Sequence, residues 1–87
     1  MHAVITTVTI NDREAAESHL QEQVVPGVKQ APGFVTGYWS RKENSGLAMV
    51  VFESEEDASN MAERVPSMVP DAVTLENTEV REVVAHA

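Results

Sequence analysis

Residues 3–10, Ala-Val-Ile-Thr-Thr-Val-Thr-Ile, are almost all β-branched, and β-branched side chains suit a pleated, half-buried surface. They predict a first strand. Val4, Val8 and Ile10 fall on one of its faces and Ile5, Thr7 and Thr9 on the other, so both faces are fairly apolar. Asn11 ends the run and suits a helix N-cap, with Glu14 three residues on. Ala16, Leu20, Val24 and Val28 then recur every fourth residue and make one apolar helical stripe, with Glu14, Glu17, Gln21 and Glu22 mostly off it. Pro26 has no amide hydrogen and clashes with the preceding turn, so the helix is expected to kink or end near Val25, with a looser turn to Gln30.

Ala31-Pro32-Gly33 is a turn signal, and Phe34 to Arg41 reads as a second strand carrying Tyr38 and Trp39. Asn44-Ser45-Gly46 marks a reversal before a third strand, Leu47 to Glu53, which predicts a hairpin with a five-residue loop. Ser54 with Asp57 is a second capping signature, and the acids Glu55, Glu56 and Asp57 sit where the helix dipole favours them. Ala58, Met61, Ala62 and Val65 form the stripe of a second helix, which Pro66 is expected to end and Pro70 to keep from restarting. Val73 to Val84 reads as the last strand. The order β-α-β-β-α-β predicts one α+β domain over residues 1–87. Its fold class is ferredoxin-like: a four-stranded antiparallel sheet with two helices on one face.

Two helices cover only one face of such a sheet, and the other should read polar if it stays wet. It does not. The third strand alternates Leu47, Met49 and Val51 with Ala48, Val50 and Phe52, so it is apolar on both sides, as is the first strand. Contiguous exposed apolar surface marks interfaces. The pattern therefore predicts a homodimer in which the helix-free faces pack together about a two-fold axis. A chain of 87 residues is also marginal alone, because so short a chain buries only about 60–65% of its unfolded surface. It contains no cysteine, so neither a disulfide nor a thiolate is available to it.

Six Lys+Arg against fourteen Asp+Glu give a formal charge of −8. Binding to nucleic acid needs clustered basic residues, and an anionic membrane repels this chain for the same reason, so neither is expected as a partner. The longest apolar run, Leu47 to Phe52, is far short of a membrane span, and His2 leads straight into the first strand without a basic, cleavable leader. A soluble cytoplasmic protein is the expectation.

Candidate chemistry is sparse. Tyr38 and Trp39 are consecutive on a strand and so point to opposite faces; either suits the wall of a pocket for a flat ligand, and either suits ordinary packing. Trp39 shares its face with Val35, Gly37 and Arg41, and Gly37 leaves space beside the indole for a ligand or for a neighbour. His19 lies at the edge of the first helix's stripe, where it serves as a general base or simply as a surface residue. His2 and His86 lie at the start of the first strand and just past the last, which are antiparallel neighbours in this fold, yet two ligands at frayed ends make a poor metal site. No metal site is expected. There is no phosphate-binding glycine loop and no nucleophile elbow.

The whole chain resembles the dimeric α/β-barrel superfamily, and within it the small proteins similar to antibiotic-biosynthesis monooxygenases. The residues that carry the resemblance are Ala3–Ile10, Val24-Val25-Pro26 before Ala31-Pro32-Gly33-Phe34, Gly37-Tyr38-Trp39, and Met49 to Ser54 running into the second helix. The resemblance implies a homodimer and, if the protein is an enzyme, oxygenation of a small aromatic substrate with no cofactor. His19 and Tyr38 are then the candidate catalytic residues, assisting proton removal, and Trp39 and Arg41 the candidate substrate-binding residues. The haem-degrading branch uses a histidine on the second helix, and residues 55–65 contain none. The alternative is a non-catalytic dimer that binds a small molecule or serves as a structural module.

Overall fold

The first β-branched run forms β1 (His2–Ile10) in a computed structural model that describes residues 1–87. After it come α1 (Arg13–His19), a π-helical stretch (Leu20–Val24) and α2 (Val25–Lys29), which together make one continuous rod. The hairpin β2 (Phe34–Lys42) and β3 (Ser45–Phe52), the helix α3 (Glu55–Met68) and β4 (Val73–Glu82) complete the chain. The strands form one antiparallel sheet in the order β2-β3-β1-β4. This is the ferredoxin-like α+β fold. Val28 from the rod and Ala58 and Met61 from α3 meet Val4, Val50 and Phe52 in one core, so both helical layers cover the same sheet face. No helix is long and apolar enough to cross a membrane.

Four local features differ from the pattern read along the chain, each for an identifiable reason. Asn11 does not cap the first helix. Its amide is held by the Ala72 carbonyl and its side chain by Thr74 Oγ1, so Asp12 takes the cap instead, with Oδ1 accepting from the Ala15 amide at 3.1 Å. The rod does not end at Val25. Pro26 crowds the carbonyl four residues back in a regular α-helix, and the wider π turn just before it relieves that clash: the Val25 amide bonds to Leu20, five residues back. The second helix continues through Pro66 and stops at Met68, because Val69 precedes Pro70 and a residue before proline is driven out of the helical region (Val69 φ −79°, ψ 122°). The hairpin loop is two residues, Glu43-Asn44, since Lys42 pairs with Ser45. Such a loop needs a positive φ, which Glu43 supplies at 56°, while Arg13 Nη2 donates to the Glu43 carbonyl at 3.3 Å.

β4 carries a bulge that sets its faces. Thr7 pairs with Asn77 and Val8 with Leu75, leaving Glu76 as the extra residue, its carboxylate accepting from Thr9 Oγ1 at 2.7 Å. The bulge puts the odd-numbered Val73 and Leu75 on the same face as the even-numbered Thr78 and Val80. Arg81 pairs with Glu79 at 3.0 Å, as the alternation of charges along this strand suggests.

Gly33 closes the turn between the rod and β2 at φ 78°, and its carbonyl accepts from the Glu53 amide at 2.8 Å. A Cβ there would stand 2.7 Å from Asp57 Cγ. Asp57 and Ser54 cap α3 reciprocally, with the Asp57 amide donating to Ser54 Oγ at 3.1 Å and Ser54 Oγ donating to Asp57 Oδ2 at 3.0 Å. Gly33→Ala therefore combines left-handed strain with loss of a cap, and it is expected to cost about 2–4 kcal/mol. Urea denaturation measures this directly; a cost below about 1 kcal/mol contradicts the coupling of turn and cap.

Candidate functional site

α3 lies close on the sheet, with Ala58 at 0% and Met61 at 4% exposure, but α1 and the π stretch bury no residue at all. Only Val28, at the far end of the rod, reaches the core. The rod therefore stands off the sheet along most of its length, and a half-open cavity of about 510 Å³ lies beneath it. Its sheet side includes Thr6, Val8 and Ala48; its helix side includes Ala16, Leu20 and Val24; Val65 and Met68 of α3 contribute the neighbouring wall. The small side chains Ala16 and Ala48 are part of why the space is not filled.

His19, Trp39 and Arg41 all line this cavity. His19 Nε2 is 3.3 Å from the Met68 carbonyl. A carbonyl only accepts, so this contact places the ring proton on Nε2 and leaves Nδ1 as the acceptor of the neutral ring. Trp39 lies back along its own strand. Its Cζ3 and Cη2 atoms occupy the space over Gly37, 3.0 and 2.9 Å from where a Cβ would be. The gap that the glycine leaves is thus room for the indole itself. Arg41 Nη1 faces Glu17 Oε2 at 3.8 Å, an ion pair from β2 to α1 that also borders the cavity.

Tyr38 is elsewhere. It is 67% exposed, pairs with Met49 and lies on the helix-free face, where Leu47 and Met49 are also exposed. His2 Nε2 lies 3.3 Å from Glu55 Oε2, while its Nδ1 is buried without a partner. His86 follows the end of β4, and no group of three or more metal-ligating side chains forms in the structure. Arg13 and Glu17 join the cavity without having been singled out in the sequence. The available signal was their spacing: four residues apart, they flank the Ala16–Leu20 stripe.

No family model matches this chain, and no curated protein matches it.

Proposed function

We propose that this chain is a homodimeric α/β-barrel protein that binds a small aromatic molecule in the cavity under its first helix and oxygenates it without a cofactor. The observation that carries the reading is the meeting of His19, Trp39 and Arg41, from different elements, on one largely apolar cavity. Its 510 Å³ lies within the range of about 300–1,000 Å³ usual for small-molecule sites. Chemically, His19 takes a proton from an activated CH₂ of the substrate, and the resulting carbanion passes an electron to O₂. Recombination and loss of water convert CH₂ and O₂ into C=O and H₂O, so the substrate supplies every electron. The second reading, a binding protein without catalysis, is favoured by one observation: with Tyr38 on the other face and His19 Nε2 engaged by Met68, a single ring nitrogen is left for proton transfer.

The dimer belongs to the same proposal. Only eight of 87 residues are buried, and the exposed Tyr38, Leu47 and Met49 share the face that no helix covers. The acidic side chains gather on the helices, while on this face Glu79 and Arg81 neutralise each other, so two copies meet there without the repulsion their net charge suggests.

The test is calorimetric titration with 2-naphthol, together with oxygen uptake in the presence of anthrone. Trp39→Phe is expected to weaken binding of the aromatic about three- to tenfold, the scale of one lost aromatic stacking contact. Uptake above the spontaneous rate that disappears in His19→Gln supports the oxygenase. Binding without uptake selects the binding protein, and no binding removes both.

A further inference from the structure

We propose that the occupant of this cavity is an aromatic carboxylate whose head group displaces Glu17 from Arg41; the proposal rests on the cavity being a ligand site. The chain holds fourteen acidic residues and six basic ones, yet the charged residues bordering the cavity are Arg13, Arg41 and Glu17. The sign of the charge inverts there. Long-range repulsion from the rest of the chain is screened beyond about 8 Å at physiological ionic strength, so the two arginines decide what charge the mouth accepts.

Glu17 already shows what Arg41 can hold. At 3.8 Å the pair is longer than a hydrogen bond, so the contact satisfies none of the guanidinium's five N–H donors. Both partners are about half exposed, 41% and 58%, and such pairs contribute only about 0–1 kcal/mol. Glu17 is thus a weak, displaceable occupant. A free carboxylate has no helix backbone to restrain it and can meet the guanidinium with two parallel hydrogen bonds, the stronger arrangement.

Trp39 fixes the rest of the ligand. It stands two residues before Arg41 on the same face of β2, roughly 6–7 Å along the strand. Indole and guanidinium are therefore spaced to take the ring system and the acid group of one bicyclic molecule, with the apolar cavity beyond.

Trp39 is the single tryptophan, so its fluorescence reports from the cavity wall. The probes are 2-naphthoate and the near-isosteric, uncharged 2-naphthamide. The wild-type chain is expected to bind naphthoate about tenfold more tightly, the gain of one charge-assisted bidentate contact at a partly exposed site. Arg41→Gln is expected to abolish that preference by weakening naphthoate alone. Glu17→Gln is expected to strengthen naphthoate about threefold by removing its competitor, and to leave naphthamide unchanged. Equal binding of the two probes to the wild type, or a preference that survives Arg41→Gln, overturns the head-group proposal while the cavity stands. Quenching by neither probe overturns the cavity reading and this proposal together.

Discussion

Phe52→Ala is expected to remove about 3–5 kcal/mol of folding free energy, the loss typical of an aromatic truncated in a closed core. Phe52 is 0% exposed and meets Phe34 edge to face, with ring centroids 6.4 Å apart. It sits where β3 pairs with both β1 and β2, opposite His2 and Phe34, so its ring ties the hairpin to the central strand. The consequence is large because the reserve is small. At about 0.05–0.15 kcal/mol per residue a chain of this length holds roughly 4–13 kcal/mol, and its six-residue core cluster has no second centre to fall back on. The measurement is urea denaturation at a fixed protein concentration, since dimerisation would add to the apparent stability. A loss below about 1 kcal/mol would mean that the surrounding side chains close the cavity, which the rigid pairing of β3 on both edges argues against.

What was legible in the sequence follows from which interactions are local. The Ala16–Val28 and Ala58–Val65 stripes, the β-branched run of β1 and the Ser54–Asp57 cap are written within a few residues, and they appear where the chain places them. The departures each depend on something distant. Asn11 loses the cap to Asp12 because Ala72 and Thr74 hold it, some sixty residues away. Pro26 is tolerated because a π turn can open next to it, a choice that propensities do not record. The β4 bulge at Glu76 is set by pairing to β1 and leaves no local mark.

The same division governs the site. Alternation places Tyr38 and Trp39 on opposite faces, but only the register to β3 says which face is covered by helices. It puts Trp39 on the cavity and Tyr38 outside. Arg13 and Glu17 look like ordinary polar residues of an amphipathic helix. Their place at the cavity comes from the stand-off of the rod, which no periodicity encodes. His19 and Met68 are 49 residues apart in sequence, so the bond that fixes the imidazole is equally invisible along the chain.

Met49→Glu is expected to turn the proposed dimer into a monomer at micromolar concentration. Met49 occupies the middle of the helix-free face, on β3, paired with Ile5 on one side and Tyr38 on the other, and it is 39% exposed. Four strands at about 4.8 Å spacing and some eight residues at about 3.3 Å rise give a face of roughly 500 Å². Two such faces bury about 1,000 Å², which only just reaches the size of a specific interface. Affinity then depends on the apolar centre. An interface with two-fold symmetry receives every substitution twice, so one change buries two carboxylates near the axis, each without a partner. Buried unpaired charges cost several kcal/mol each, which corresponds to a loss of affinity of at least about a thousandfold. The isolated fold should survive, because the substituted position is already in contact with water and lies outside the core cluster. Sedimentation velocity on the wild type and the variant, with circular dichroism on the same samples, separates the cases. A wild-type dimer and a folded Met49→Glu monomer support pairing through this face. A wild-type monomer, or a variant that still dimerises, rules this face out as the interface.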